Sequence, residues 1–351
     1  MTTVTQDLAE VTGGVDTHKD THTAAAVDVT GRVLGVESFE ADAAGYRALL
    51  DWLRSIGTLV LVGVEGTGSY GAGLARHLRR ARIPVVEIDR PDRKMRRWQG
   101  KSDPVDAQAA ALAALTGRRT GTPKHRDGRV EALRALRLAR RSAVDQRSDV
   151  LRQIKTLIVT APEELRAQLR ALGDKKLIPE CAGRRPDTAH RHDPHIATEL
   201  ALRSLARRHQ QLSTEIDELE TLINPLVTDL APHLLALTGI GPDNAGQLLV
   251  TAGDNPDRLK SEAAFAMLCG VAPLPASSGR THRHRLNRGG DRAANAALHR
   301  IVVCRLRWDD RTRDYMQRRT TEGLSKKEII RCLKRYAARE IYQVLTTGPA
   351  T

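Results

Sequence analysis

Residues 13–28, GGVDTHKDTHTAAAVD, run on after a short break into residues 31–39, GRVLGVESF. From Gly14 to Phe39 the residues alternate with the period of two expected of strands, and Gly31 marks the hairpin turn. Ala43–Ile56 changes to helical spacing. Residues 58–65, TLVLVGVE, then form a continuous apolar run of strand length, the pattern of a central strand buried on both faces. A Gly-rich turn over 66–71, a helix over Ala72–Ala81, a strand at IPVVEID and a helix over Val105–Leu115 follow. Three strands and then alternating helix and strand predict an α/β layer with a mixed sheet.

Beyond it the pattern becomes helical. Residues 123–129 read as a linker, and Val130–Val159 as a long exposed helix with many arginines between its apolar positions. Residues 173–194 are rich in Gly, Pro, Arg and His and read as a loop or mobile insertion. Ile196–Leu226 is helical again, so the middle of the chain is expected to form a helical hairpin or coiled coil. From Leu234, LLALTGIGPDNAGQLLV reads as helix, Gly-rich turn and helix, and SEAAFAMLCGVAP as one further helix. PLPASSGRTHRHRLNRGGDR is a loop of small and basic residues, followed by helices over Arg292–Arg307 and Lys326–Leu345. The expected division is 1–122 for the sheet domain, 123–229 for the hairpin and 230–351 for a C-terminal helical domain, an α/β plus all-α chain.

Composition narrows the function. The 351 residues carry a net charge of +14, which calls for a polyanionic partner or a strong reason to avoid self-association. Arginine far outnumbers lysine, and its planar fork suits phosphate. Aromatic residues make up 3% of the chain, so its cores must be built from Ala, Leu, Val and Ile, a helix-favouring set. Four scattered cysteines without a C-x-x-C pair exclude a disulfide framework and a zinc ribbon. No apolar run reaches the length of a membrane span, and MTTVTQDLAEVTGG lacks the features of a signal peptide. A cytoplasmic, nucleic-acid-associated protein is expected, with no membrane partner.

The acids mark the candidate chemistry. Asp16 lies in the first strand, Glu65 at the end of the central one, and Asp103 and Asp106 at the start of the helix opened by KSDPVDA. Such positions line the usual crevice of α/β sheets. With Pro104 at N1, Asp103 reads as the N-cap, which is also its ordinary structural explanation. Four acids converging on one sheet end would repel one another unless a cation neutralised them, and Mg²⁺ is suited to phosphodiester chemistry. His18 and His22 stand beside Asp16; decoration of the strand and hairpin is the preferred reading over metal ligation.

GVDTHKDTH, GVEGTGSYG and KSDPVDAQAAA resemble, in order and spacing, the DEDD motifs of the IS-one-ten family of insertion-sequence transposases. LTGIGPDNAGQLL and the segment from AAFAMLCGVAPLPASSG to ALHRIVV resemble its second half. The resemblance implies a RuvC-like, RNase H-type N-terminal domain. It makes Asp16, Glu65, Asp103 and Asp106 the catalytic carboxylates and metal ligands, with Mg²⁺ as cofactor and Mn²⁺ as a substitute. It also implies a serine nucleophile just before a glycine, matched by Ser278 before Gly279, with Ser277 as the alternative. Small neighbours there give access, and Arg280, Arg283, Arg285, Arg288 and Arg292 are candidates to hold phosphates. On the residues alone, the same loop also reads as an ordinary polar linker with a solvated basic patch. His282 and His284 read as phosphate contacts or proton-transfer groups.

The family's reaction would cut and rejoin DNA through a covalent phosphoserine link. Its members act as multimers guided by a structured RNA encoded by their element. For this chain that implies donor and target DNA, a guide RNA, a homodimer or tetramer, and a place at the bacterial nucleoid. Two rival readings remain: a junction-resolving nuclease using activated water, and a non-catalytic nucleic-acid-binding relic. GIGP resembles a helix–hairpin–helix turn, and SKKEIIRCLKRYAAREIY is either a solvated face or a backbone-binding one. Cys181 with His190, His192 and His195 fits no common four-ligand zinc pattern.

Overall fold

The alternation over residues 13–39 corresponds to a meander of β1 (Glu10–Thr17), β2 (Thr21–Val27) and β3 (Val33–Glu40). Gly31 makes the β2–β3 turn with φ +86°, the left-handed region that favours glycine. In this computed structural model, which describes residues 9–88, 102–118, 120–277, 279 and 284–347, β4 (Thr58–Glu65), β5 (Val85–Ile88) and β6 (Thr120–Gly121) complete the sheet. Its order is β3-β2-β1-β4-β5-β6. β1 runs antiparallel to β2 and parallel to β4, β4 is parallel to β5, and β6 closes the edge antiparallel. This is the mixed sheet expected of an RNase H-type domain, followed by a largely helical remainder.

The two faces of the sheet are built differently. On one lie α1 (Ala43–Ile56) and α2 (Ala72–Arg80), whose Leu49, Leu53, Leu74 and Leu78 are fully buried against Val11, Val15, Val62 and Val64. Each such leucine contributes about 1.5–3 kcal/mol by leaving water. Asp42 starts α1, its carboxylate accepting from the N–H groups of Ala44 and Gly45. The other face carries α3 (Asp103–Thr116), six of whose fourteen residues are alanine. Ala107, Ala110, Ala111 and Ala114 are buried, and the strands beneath them present Gly14 and Gly63. A Cβ on Gly14 would stand 2.0 Å from the Ala111 nitrogen, so the helix backbone rests almost directly on β1. The helix opens one residue earlier than Pro104 suggests: Ser102 is its N-cap and Asp103 its first residue.

The chain folds into two compact units, Met1–Gly128 with Thr251–Gly290, and Arg129–Val250 with Asp291–Thr351. In the first, residues 251–290 are strapped to the strand-side segment before residue 128. The Asn255 amide donates to the Pro123 carbonyl at 3.1 Å, and its oxygen accepts from the His125 N–H at 3.2 Å. Arg258 donates to the Thr122 carbonyl at 3.0 Å.

The second unit is helical. α4 (Arg129–Val159) and α7 (Pro194–Leu230) span about 46 and 55 Å at 1.5 Å per residue. They pair antiparallel, since their bonded partners run in opposite directions: Arg129 with Asp229, Arg140 with Glu220, and Arg147 with Ser213. Between them lie α5 (Glu163–Leu169) and α6 (Asp174–Gly183). α6 corrects the loop expected over 173–194. Leu177, Ile178 and Cys181 recur at helical spacing and join the core under α4 and α7, which outweighs a glycine- and proline-rich composition. α8 (Pro232–Leu235) and α9 (Pro242–Ala252) flank the GIGP turn, where Gly239 has φ +80°. A Cβ there would stand 3.3 Å from the Ile301 carbonyl, so this turn packs against a helix. α10 (Glu262–Leu268) belongs to the first unit; α11 (Arg292–Trp308), α12 (Asp310–Thr321) and α13 (Lys326–Thr347) complete the second.

Candidate active site

Strand geometry decides where the acids point. Residues 14, 16 and 18 share one face of β1 and its continuation, and Gly14 faces α3. Asp16 therefore projects toward the first turn of α3, as does Glu65, two residues after Gly63 on β4. The ends of the two strands are tied together, because the Thr17 hydroxyl donates to the Glu65 carbonyl at 2.8 Å. Gly66 then turns away with φ +67°, and the Ser69 N–H closes the turn on the Gly66 carbonyl at 2.8 Å.

Asp16 and Asp106 are buried, at 7% and 3% exposure, while Asp103 is half-exposed. His18 bridges two of the acids: its Nε2 lies 3.0 Å from Asp16 Oδ2 and 3.3 Å from Asp103 Oδ1. Among the described residues, Asp16, His18 and Asp103 form the one trio whose ligand atoms lie within 4.8 Å of one another. Glu65 and Asp106 stand on the same face and at the same end, outside that trio, and each has partners of its own. His18, expected from the sequence to decorate the hairpin, joins the acids instead, and the sequence carries a signal for this. A histidine two residues after a strand aspartate shares its face.

The donor set suits a divalent cation. Two neighbouring ligands of an octahedral ion with bonds of about 2.1 Å stand about 3.0 Å apart. The separations of 3.0 and 3.3 Å in the trio match that spacing. On the opposite face of the sheet, toward α1, His22 of β2 is fully buried and stacks on Tyr46 with ring centroids 5.6 Å apart. Burial pushes its pKa below the ordinary 6.5, against the opposing pull of the Thr21 carbonyl that accepts from Nδ1.

The serine segment has a defined frame. β7 (Leu274–Pro275) pairs antiparallel with β8 (His284–Arg285), so residues 276–283 lie between two bonded strands. Its base is held where Asn287 donates to the Met267 carbonyl at 3.0 Å, and where Gly290 meets the Gly270 backbone too closely for any Cβ. Ser277 is exposed, and Gly279 takes φ +55°. Ser278, Arg280, His282 and Arg283 lie outside the described residues. His284, Arg285, Arg288 and Arg292 are exposed, with Arg285 on β8 and Arg292 at the start of α11 in the second unit.

The zinc reading finds no support among the described residues. Cys181 is fully buried in a leucine-rich core, where burial raises its thiol pKa. His190 pairs with Asp187 at 2.8 Å, and His195 faces Glu199 at 3.8 Å. No described helix is long and apolar enough to cross a membrane.

Comparison with known proteins fits these parts. Residues 13–161 match a transposase family model for DEDD transposases of IS110 type. Residues 231–317 match the model of the transposase IS116/IS110/IS902 family. The chain is also similar to the insertion element IS110 uncharacterized 43.6 kDa protein of Streptomyces coelicolor, with 30% identity over 148 residues. That similarity covers 41% of this chain and 35% of the relative, so the chain spans about a third of the relative's length. The two family matches together cover about two thirds of the chain. With the acid-bearing sheet inside the first match and the hairpin of Ser277 inside the second, the chain belongs to the IS110 family of transposases.

Proposed function

We propose that this chain cuts and rejoins DNA as a transposase, with a serine of the 276–283 loop as nucleophile and the acids around Asp16 as a divalent metal site. The observation that carries this reading is the trio of Asp16, His18 and Asp103 at the open end of an RNase H-type sheet. A cation held there, Mg²⁺ or Mn²⁺, would supply a Lewis acid for the phosphate under attack. With His18 as a ligand the set favours Mn²⁺. With His18 serving only as a hydrogen-bond donor to the carboxylates, it favours the all-oxygen preference of Mg²⁺.

The chain's residues divide the work. Asp16 and Asp103 bind the cation, with Glu65 and Asp106 completing the acidic face. Ser278, with Ser277 as the alternative, attacks the phosphodiester. Its oxygen bonds to phosphorus, the displaced deoxyribose oxygen takes up a proton, and the serine proton passes to a nearby base such as His284. The phosphoserine link conserves the energy of the broken bond until a hydroxyl of the exchanged strand reverses the step. Arg280, Arg283, Arg285, Arg288 and Arg292 hold the DNA phosphates. The family resemblance adds a structured guide RNA and a dimer or tetramer handling donor and target DNA together at the nucleoid.

The decisive experiment incubates the full chain, its element-end DNA and its flanking RNA with Mg²⁺ or Mn²⁺, and looks for detergent-stable protein–DNA adducts. Ser278→Ala should abolish adduct and joined product while Ser277→Ala retains both. Cleavage without adduct in both serine variants would replace this mechanism with a nuclease using activated water. Undiminished cellular function of the Asp16→Asn, Asp103→Asn double variant would leave only a binding role.

A further inference from the structure

The second unit contains a cleft of about 1270 Å³ between α11, α12 and α13, remote in sequence from the acids and the serine hairpin. We propose that this cleft binds a single-stranded nucleic acid by stacking an unpaired base on Tyr336, with the phosphates held by Arg311 and Arg318. Tyr336 and Arg339 lie beyond residue 317, where the second family match ends.

Aromatic placement is the first argument. The whole chain has three Trp, five Tyr and two Phe. Yet Trp308, Tyr315 and Tyr336 gather in this three-helix group, with Trp308 72% and Tyr336 50% exposed. A chain that builds its cores from aliphatic residues has no packing need to leave rings in water. Tyr315 and Tyr336 meet edge to face at 5.5 Å, which fixes the Tyr336 ring while leaving half of it open.

The second argument is the arginine frame. Arg318 lies over the Tyr315 ring at 5.4 Å from its centroid, and Arg339 over Tyr336 at 6.0 Å. A guanidinium stacked on a ring, as Arg318 is, can present its N–H edge to phosphate oxygens, whereas Arg339 has a further partner in the fold. Of the three acids that line the cleft, Asp314 is exposed and faces the surplus of arginines, while the other two are engaged within the fold. Asp309 caps α12 through the Thr312 N–H, and Glu340 pairs with Arg305 at 2.6 Å. The Tyr315 hydroxyl, pushed up to about 12 chiefly by burial, stays protonated and adds no negative charge. From residue 292 to 347 the chain has fourteen Lys and Arg against six Asp and Glu.

These features select an unpaired strand over a duplex. Base faces in a duplex are covered by their neighbours, whereas every unpaired base offers a face to an aromatic ring. A ring pair that merely pinned α12 to α13 would require neither the exposure nor the arginines.

The test uses the full chain in metal-free buffer, so that binding is read without catalysis and independently of the strand-transfer reading. Labelled oligomers of dT and of U, each about 12 nucleotides, and a duplex of equal length are titrated by fluorescence anisotropy. Tyr336→Ala should weaken single-strand binding about 5- to 150-fold, the loss expected for one stacked base. Tyr336→Phe should restore it, and Tyr336→Leu, which keeps the apolar packing, should not. A loss on dT alone assigns the strand as DNA, on U alone as RNA, and on both as either. A 5-iodouracil oligomer should photo-cross-link to Tyr336 or Tyr315. Wild-type affinity in both the Ala and Leu variants, an equal loss on duplex, or cross-links confined outside residues 305–343 would overturn the proposal.

Discussion

Replacing Gly14 with alanine puts a methyl group where α3 lies. The new Cβ would stand 2.0 Å from the Ala111 nitrogen, 2.4 Å from its Cα and 2.5 Å from the Ala107 carbonyl oxygen. Ordinary contact begins at 3.4 Å, so the helix must retreat by about 1.4 Å. These are backbone atoms, which cannot swing aside as a side chain does. Overpacking in a core costs about 1–3 kcal/mol, and this clash belongs at the upper end. The gain from a stiffer unfolded chain, about 0.4–1 kcal/mol, offsets only part of it. A net loss of about 2–3 kcal/mol lowers the melting temperature by roughly 4–12 °C in a domain of this size. The retreat also carries Asp103 away from Asp16 and His18. Metal sites tolerate about 0.2 Å, and a displacement near 1 Å costs about 100-fold in rate. Circular dichroism would measure the first effect, Mn²⁺ titration calorimetry the second and strand cleavage the third. Gly13→Ala is the internal control, since its Cβ meets only the Leu53 and Val62 side-chain ends at 3.0 and 3.3 Å. Equal melting temperature and metal affinity in the two variants would refute the close seating of α3 on β1.

Two further outcomes are expected. His22, His77 and His209 all have pKa values lowered from 6.5, chiefly by burial, so the folded chain binds fewer protons than the unfolded one just below that value. Their stability contribution is complete above about pH 6.5 and is lost as pH falls through the folded values. Melting temperature should drop from about pH 7.5 to about pH 5, less steeply in His22→Phe, which keeps a ring against Tyr46; an unchanged slope would contradict the assignment. Asn255→Ala strips partners from the Pro123 carbonyl and His125 N–H at a 5%-exposed position, costing about 1–3 kcal/mol. Metal affinity should be retained while strand transfer falls, and a wild-type melting temperature would remove the strap from the account.

Local pattern alone determined much of this protein. The period of two in residues 13–39 and the apolar run TLVLVGVE specify strands, because burying one or both faces of a sheet dictates which positions are apolar. Placing Asp16, Glu65, Asp103 and Asp106 at element ends needs no more than those boundaries, and the charge of +14 needs only counting. Whatever depends on distant partners had to wait for the tertiary structure. Asp174–Gly183 is a helix because Leu177, Ile178 and Cys181 find a core between α4 and α7. Residues 251–290 join the sheet-bearing unit through Asn255, whose partners lie 130 and 132 positions away. His18 enters the acidic site only because glycine at position 14 and alanines along α3 allow the helix to approach so closely that Asp103 reaches its ring. The tyrosine–arginine cleft arises in the same way, from three helices whose sequences each read as an ordinary charged amphipathic face. Packing of small residues against backbone has no periodic signature, so the sequence marks the acids and the fold decides what stands between them.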